Sequence, residues 1–468
     1  MQNVKENKMG VMPMGKLVLN MSLPIIASML VQALYNIVDS IFVSMINQQA
    51  LNAVSLAFPA QNLMIGFGTG TAVGVNALVS RALGAKQQDR ANKIANNGLF
   101  LSLICYLIFL LFGIFGSGLF FSTQTADPVI MGYGKTYLTI VCGMSFGIFG
   151  QFIFERLLQA TGRTIFTMIS QGVGAIINII LDPIFIFVFD MGVAGAALAT
   201  VLGQIVGCII GIYFNLKKNP EIKLNLRGFR PDGEIIKGIC GIGIPSILMV
   251  AVGSVMTYLF NIVLLLYTKA GAYAQNIFGI YFKLNSFVFM PIFGLNNGLV
   301  PIISYNYGAQ KRSRMTKAIK IGVVTACALM LFGMTLFLTI PDKLLSVFIT
   351  NASAAEIEIM LSVGVPALRI ICLPFMVAGV CISLSSVFQA LGRGIYSTIM
   401  SVCRQLVVLL PAAYVLARIG MKVGNDNLVW WSYPIAEVAS LIVCLFLFRK
   451  LYRDLISKVG DHSADLAA

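Results

Sequence analysis

Residues 23–44 of the chain spell LPIIASMLVQALYNIVDSIFVS, an apolar stretch that contains one acid, Asp39. As an α-helix the stretch is about 33 Å long, which is enough to cross the hydrocarbon core of a bilayer. Gln32, Tyr35, Asn36 and Asp39 are spaced i, i+3, i+4 and i+7, so they form one polar stripe along the helix. An acid inside a membrane helix costs about 3 kcal/mol and usually faces a bundle interior or a watery cavity. The stripe therefore predicts an ion or substrate path. The alternatives are a carboxyl that only forms a hydrogen bond with a neighbouring helix and one that lies near enough to the membrane interface to stay solvated.

The composition is that of a polytopic membrane protein. Of the 468 residues, 58% are hydrophobic and 11% are charged, whereas soluble domains are about a quarter charged. Nine cysteines without a CxxC pair and a single histidine provide no metal-ligand set. The sequence also offers no nucleophile constellation for catalysis. We therefore expect a protein of the lipid bilayer that is not an enzyme and that needs neither a metal nor another cofactor.

Apolar runs and the loop residues between them predict an all-α protein with twelve transmembrane helices. The predicted helices lie near 16–45, 50–80, 91–117, 129–153, 164–188, 193–215, 238–267, 271–303, 316–340, 357–388, 395–417 and 428–449.

The net charge of +15 is explained by membrane topology rather than by a nucleic-acid partner. If the N-terminus is cytoplasmic, 25 of the 33 Lys and Arg residues fall in the cytoplasmic segments, and only five fall in the opposite loops. This asymmetry is the pattern expected from the positive-inside rule. We therefore predict a multi-pass protein of the inner or plasma membrane with both termini in the cytoplasm and no nucleic-acid partner.

Four short motifs occur twice, in the same order, at separations of 221 to 230 residues. The pairs are QATGR at 159–163 with QALGR at 389–393, SRALGAK at 80–86 with SYNYGAQ at 304–310, Gly70 and Gly74 with Gly294 and Gly298, and Pro24 with Pro245. A repeat of six helices predicts two pseudo-symmetric lobes related by an axis along the membrane normal, with a central cleft between them.

The predicted division of the chain follows from this repeat. Residues 1–216 form the N-lobe, residues 217–237 a cytoplasmic linker, residues 238–452 the C-lobe and residues 453–468 a cytoplasmic tail. The linker is distinguished by its mixed charge, two prolines and two glycines.

A second acid lies in the fifth predicted helix, where Asn178 and Asp182 are one turn apart on one face. Counted from the outer loops, Asp39, Asp182, Tyr137 and Thr200 each lie about six residues, or roughly 9 Å, into their helices. Four helices of the N-lobe thus offer oxygen atoms at one depth. Two carboxylates in a poorly hydrated site repel each other, so the pair can hold a proton or accept a cation. We interpret this set as an ion-coupling site.

The C-terminal half does not repeat these acids, because its first predicted helix has none. Its charged residues within the membrane include Lys283, Arg404 and Glu437. They form a candidate polar network in which Arg404 and Glu437, on consecutive helices, neutralise each other or contact substrate.

A central cleft for lipophilic compounds needs adaptable apolar walls with a few polar groups. The candidate residues for this cleft are Gln32, Asn36, Met64, Met256 and Met290.

The runs ALYNIVDSIFVS at 33–44 and ILDPIF at 180–185, together with the SRALGAK and QATGR motifs and the six-helix repeat, resemble the multidrug and toxic compound extrusion (MATE) family. The resemblance extends over nearly the whole chain and is strongest to the DinF-type and MepA-type branch. It implies that Asp39 is the carboxyl that binds a proton or another ion, with Asp182 and Asn178 as its partners. It also implies a surrounding hydrogen-bond set of Tyr35, Tyr137 and Thr200.

The resemblance further implies a monomeric secondary transporter that exports lipophilic, cationic drugs in exchange for H⁺ or Na⁺ by alternating access. The sodium-coupled NorM-type branch has an acid on helix seven, which this chain lacks, although an N-lobe carboxylate cluster can also bind sodium. The alternative within the same superfamily is a flippase for lipid-linked saccharides, against which the twelve helices and the acidic N-lobe argue. A channel would need a continuous polar pore, whereas the polar stripes stop at one level.

Overall fold

The structure, a computed structural model, describes residues 7–225, 227, 229–348 and 354–460. Within these ranges the protein is built from helices, and no strand is present. Ten helices are long and apolar enough to cross a membrane, and two bent helix pairs bring the number of spans to twelve when each pair is one span. The predicted all-α fold with twelve transmembrane helices is confirmed.

The first six spans, α1 to α6, are Met14–Ile46, Gln48–Gly84, Gln88–Gln124, the bent pair Pro128–Gly143 with Phe146–Ala160, Thr164–Val188 and Gly192–Lys218. The second six, α7 to α12, are Gly233–Tyr267, Gly271–Gly308, Arg312–Thr339, the bent pair Ala355–Cys372 with Phe375–Ala390, Gly394–Val423 and Ser432–Asp454.

The sequence repeat is also a repeat of backbone conformation. The fourth helix of each half is bent, by 44° in α4 and by 50° in α10. The two QAxGR motifs end these helices with Gly162 at φ 82° and Gly392 at φ 76°, a left-handed conformation that glycine adopts without a Cβ clash. Lys86 and Gln310, in the second pair of motifs, have φ values of 58° and 55°. The two halves therefore share helix ends and bends as well as helix number.

Both ends of the described chain lie at the same end of the helix bundle. The backbone carbonyl of Met9 accepts a hydrogen bond from Asn306 Nδ2 at 3.2 Å, and the backbone N–H of Gly460 donates to Gln310 Oε1 at 3.3 Å. Asn306 lies in the last turn of α8, and Gln310 lies in the turn that follows this helix. We call this end of the bundle the termini side and the opposite end the far side.

The N-terminal segment, residues 7–13, connects the two lobes on the termini side. Asn7 Nδ2 donates to the carbonyl of Thr161, at the end of α4, over 3.1 Å. Two residues later, Met9 is bonded to Asn306 of the C-lobe, as described above. The segment is therefore a short bridge that holds both halves of the molecule at once.

Glycines allow the lobes to meet closely where α2 packs against α7. A Cβ added to Gly70 would come within 2.7 Å of the carbonyl oxygen of Gly243, and one added to Gly74 within 2.5 Å of the carbonyl oxygen of Ile239. Small residues permit such backbone contact between membrane helices. The seam between α2 and α7 is therefore a contact of main chain with main chain.

A reciprocal contact closes the seam between α2 and α8 on the termini side. A Cβ on Gly84 would overlap the carbonyl oxygen of Tyr305, and a Cβ on Gly308 would overlap the carbonyl oxygen of Arg81. These four residues belong to the repeated SRALGAK and SYNYGAQ motifs. The two copies of one motif thus pack against each other across the lobe boundary.

The lobes separate toward the far side. Asn62 Nδ2, on α2, still donates to Ser254 Oγ, on α7, over 3.2 Å. Farther along the same two helices, Phe58 is 61% exposed and Tyr258 is 68% exposed. The central cleft therefore opens to the far side and is closed on the termini side.

Candidate functional site

A buried polar cluster in the N-lobe is centred on Asp182 of α5. The Asp182 side chain is fully buried, and its Oδ1 accepts a hydrogen bond from Asn178 Nδ2 over 3.4 Å. The same amide also lies 3.5 Å from Thr200 Oγ1 on α6. The local reason is helical spacing, because residues 178 and 182 are one turn apart and face α6 together. Three of the predicted ion-coupling residues are thus in contact.

The other three predicted residues surround this cluster from α1 and α4. Asp39, half-buried on α1, interacts electrostatically with the Asp182 carboxyl group. The phenols of Tyr35 and Tyr137 interact with both acids. The Tyr137 hydroxyl donates to Gln61 Oε1 over 3.5 Å, a partner on α2 that the sequence analysis did not identify. The structure therefore brings all six residues into one region of the N-lobe.

The cluster has more buried hydrogen-bond acceptors than donors. Asp39 Oδ1, Asp182 Oδ2 and Asn178 Oδ1 are buried without a hydrogen-bond partner in the described part of the chain. In those same residues no lysine or arginine forms an ion pair with Asp39 or Asp182. Buried polar oxygens nearly always have a partner in native proteins. Chemically, this arrangement can accept a proton, water or a hard cation that prefers oxygen ligands.

A small polar cavity adjoins the cluster. It has about 40 Å³ of space open to water, and its walls include Tyr35, Asn178 and Thr200, so it has room for about three water molecules. Gln32 also lines this cavity. The sequence pattern predicts Gln32 in the central cleft, whereas the structure places it in this cavity of the N-lobe, with Tyr35 and Asn178.

One buried acid was not predicted, because the apolar run that predicts the fourth helix ends near residue 153. The structure continues this helix to Ala160, and Glu155 within it is only 2% exposed. Arg156, which the predicted helix bounds leave in the following loop, is half-buried in the same helix. The available signal was Gly162, because a glycine two residues past a helix end commonly terminates the helix there.

The candidate cleft residues separate into two groups. Asn36 is exposed on α1 and Met290 is half-buried on α8, so both remain accessible. Met64 is fully buried in the apolar core of the N-lobe, and Met256 is 8% exposed in the core shared by both lobes. Met64 and Met256 therefore do not line the cleft in this conformation, because apolar side chains of their own helices and neighbours enclose them.

In the C-lobe the predicted polar network is reduced to one ion pair. Arg404 Nη1 lies 3.0 Å from Glu437 Oε1, which joins α11 to α12. Lys283 is exposed, and its Nζ lies 5.8 Å from the centre of the Phe348 ring. Lys283 is thus placed apart from the other two residues, in a cation–π contact.

Because the Arg404–Glu437 pair is mostly buried, we expect Glu437→Leu to destabilise the protein by about 3–5 kcal/mol, since it leaves an unpaired buried charge. The matched control is Asp454→Leu, which breaks the exposed pair with Arg453 and should cost less than about 1 kcal/mol. Thermal unfolding in detergent measures both. The double variant Arg404→Leu with Glu437→Leu should regain most of the stability that Glu437→Leu loses. Equal destabilisation by Glu437→Leu and Asp454→Leu would contradict a structural role of the Arg404–Glu437 pair.

The family model described as MatE matches residues 24–184 and 245–415, which lie one in each half of the repeat. The multidrug export protein MepA of Staphylococcus haemolyticus is 29% identical over 438 residues, with 93% of each chain covered.

Two solved structures resemble the chain over nearly its whole length. A MATE crystal structure in complex with MaL6 superposes with a TM-score of 0.90 at 24% identity, covering 97% of this chain and all of that one. An outward-facing multidrug resistance MATE transporter superposes with a TM-score of 0.88 at 25% identity, covering 98% and 100% of the two chains.

Proposed function

Because this chain belongs to the MATE transporter family, we propose that it is a multidrug efflux antiporter that exports lipophilic, cationic compounds in exchange for H⁺ or Na⁺. The observation that carries this proposal is the N-lobe site, in which Asp39 and Asp182 interact while one buried oxygen of each lacks a partner in the described part of the chain. Similarity to a protein named for multidrug export supports the substrate class.

The chemistry of the site favours a small cation as the coupling ion. Carboxylate oxygens, the amide oxygen of Asn178 and the hydroxyl group of Thr200 are ligands that a proton or a sodium ion can use. Without an ion, two carboxylates in one poorly hydrated region repel each other. Binding of the ion removes this repulsion. If the ion binds one conformation more tightly than the other, its binding shifts the equilibrium between the two conformations.

Helix α1 is the element that can transmit this change to the cleft. It packs against α5 of its own lobe and against α8 of the other lobe. Loading of Asp39 and Asp182 lets α1 approach α5, and unloading pushes the two acids apart. In this proposal α1 couples the charge state of the N-lobe site to the packing of the lobes and to the space available for a drug.

We assign the termini side to the cytoplasm and the protein to the inner or plasma membrane, because most lysines and arginines lie in the loops of that side. With this orientation the cleft is outward-facing in the present conformation. Export then follows alternating access: ion binding from outside releases the drug, and ion release inside allows the next drug to bind. Opposed binding of ion and drug supplies the coupling free energy. We propose that a monomer performs this cycle.

Dye transport in proteoliposomes tests the function directly. With ethidium as the probe, we expect an imposed proton gradient or an imposed sodium gradient to drive transport against the dye gradient, and dissipation of that gradient with an ionophore to stop it. Liposomes without protein provide the control. If neither ion gradient drives the dye, ion-coupled drug antiport is wrong for this protein, and movement of a fluorescent lipid-linked saccharide becomes the next measurement.

A further inference from the structure

A third buried carboxylate, Glu155, lies in the N-lobe apart from Asp39 and Asp182. Its Oε1 accepts a hydrogen bond from Gln151 Nε2 at 2.9 Å, and its Oε2 accepts from Gln171 Nε2 at 2.7 Å. Ser170 Oγ lies 3.5 Å from Oε1, but its one O–H donates to the carbonyl oxygen of Gly207 over 2.7 Å. All of these groups are neutral. The carboxylate is therefore solvated by protein dipoles, as a group that holds a charge in the membrane must be.

Glu155 has no ion-pair partner within the described ranges of the chain. Its sequence neighbour Arg156 interacts with it electrostatically, but the guanidinium group donates its hydrogen bond to Gln159 Oε1 over 2.9 Å. The other titratable groups around it are Tyr35 on α1 and Cys208 on α6, both of which interact with it electrostatically. A direct salt bridge would explain a buried acid, and Glu155 forms none with the part of the chain that the structure describes.

The residues that hold Glu155 also line the cavity described above. Gln151 and Gln171 form one end of its wall, and Asn178, the partner of Asp182, forms the other. The free oxygens of this wall, Gln171 Oε1, Asn178 Oδ1 and Gln204 Oε1, are buried without partners. A cavity with room for about three waters and three unused acceptors thus lies between the residues that hold Glu155 and the residue that holds Asp182.

The two sites are too far apart to bind one ion together. Gln171, which contacts Glu155, and Asp182 are eleven residues apart on α5, which corresponds to about 16 Å along the helix. Glu155 is also five residues from the end of its helix at Ala160, roughly 8 Å from the termini side. It therefore lies between the coupling site and the side on which the proposed cycle releases its ion.

We propose that Glu155 is a second binding site for the coupling cation, H⁺ or Na⁺, which the ion occupies between leaving Asp39 and Asp182 and reaching the cytoplasm. This inference rests on the proposed antiport. The amide groups of Gln151 and Gln171 serve the site in both states, because each can present its NH₂ group to the empty carboxylate or its oxygen to a bound cation.

Two transport assays on one variant test this role. Glu155→Gln keeps the shape of the side chain and removes its charge. We expect ion-gradient-driven ethidium transport to fall at least tenfold, since release of the ion is blocked. Exchange of internal for external ethidium without an ion gradient should stay within twofold of wild type, because exchange moves no net ion. Repeating the driven assay with a proton and with a sodium gradient distinguishes the two cations.

Two further variants separate ion binding from packing. Ser170→Ala removes a hydroxyl group beside Glu155 and its hydrogen bond to the Gly207 carbonyl, but keeps both amide donors to the carboxylate, so we expect driven transport within about threefold of wild type. Glu155→Asp keeps a carboxylate at a changed position and should shift the ion concentration for half-maximal driven transport by at least threefold. If Glu155→Gln fails to fold, as judged by thermal unfolding, an unchanged half-maximal concentration in Glu155→Asp overturns the proposal.

The remaining outcomes are also decisive. Driven transport by folded Glu155→Gln within twofold of wild type would make Glu155 a structural residue. Loss of both driven transport and exchange would place its role in drug binding or lobe movement. Either result overturns the proposal. Failure of the antiport itself has a different signature, because wild type would then show no gradient-driven transport.

Discussion

We expect Asp182→Asn to abolish ion-driven dye transport, because it removes one charge from the centre of the N-lobe site. The variant has the same shape and keeps an oxygen that can accept from Asn178, so the fold should persist. Its amide cannot take up a proton and binds a cation weakly. Coupling free energies of about 1–3 kcal/mol correspond to roughly 5- to 150-fold effects. We therefore expect the initial rate of ethidium transport to fall about 100-fold. The rate is measured in proteoliposomes under an ion gradient.

The matched control for this substitution lies on the same stretch of chain. Asp190, just past the end of α5, is exposed and has a φ of 51°, a conformation that asparagine also tolerates. Asp190→Asn should therefore leave transport and thermal unfolding unchanged. Wild-type transport by Asp182→Asn, with confirmed loss of the charge, would rule out Asp182 as a coupling residue.

The partner acid provides a second check. Asp39→Asn should produce a loss of similar size, and the double variant should lose little more than either single variant, because residues that act as one unit are not additive. Additive losses would mean that the two acids act separately, which contradicts a shared site.

Gly84→Val should trap the transporter with its termini side open. The valine side chain would overlap the carbonyl oxygen of Tyr305 in the other lobe, and backbone atoms cannot move aside as a flexible side chain can. Overpacking of this kind costs about 1–3 kcal/mol, and 3 kcal/mol shifts a conformational equilibrium by roughly 100-fold. The strain is absent when the lobes separate on that side, so the inward-facing state should dominate.

Distance measurements between labelled helices report this shift. A pair of spin labels at the far-side ends of α1 and α7 should move closer together in Gly84→Val than in the parent protein, and dye transport should fall at least tenfold. Gly241→Val is the control, because a Cβ on Gly241 of α7 meets no atom within 4 Å. Unchanged label distances in Gly84→Val would contradict the assignment of this seam as the closed gate.

The membrane spans and the repeat could be predicted because hydropathy and spacing are local properties of the sequence. The polar stripe of α1 and the pair Asn178–Asp182 were likewise visible, since a carboxyl in an apolar helix has few alternatives to an interior site. The approach of Asp39 to Asp182 was predicted from equal depth, and it depends on α1 packing beside α5. Helical spacing does not predict how each helix is rotated about its own axis relative to its neighbours. This rotation turns Met64 and Met256 into the apolar core rather than toward the cleft.

Glu155 was missed for a different physical reason. A charged Glu-Arg pair after an apolar run looks like the boundary of a membrane helix when only hydropathy is considered. The polar side chains that donate hydrogen bonds to Glu155 come from α4 itself and from α5. Positions such as Gln171 cannot be recognised as its partners until the two helices are packed together. The pairing of Tyr137 with Gln61 of α2 is a tertiary contact of the same kind.

The bridge formed by residues 7–13 has a practical consequence for handling the protein. Asn7 and Met9 form hydrogen bonds to both lobes on the closed side. A bulky fusion attached immediately before them would weaken these bonds and so change the relative populations of the inward-facing and outward-facing states. Affinity handles and fluorescent reporters therefore belong at the carboxyl end. A cleavable amino-terminal handle should be removed before any rate or distance is compared between variants.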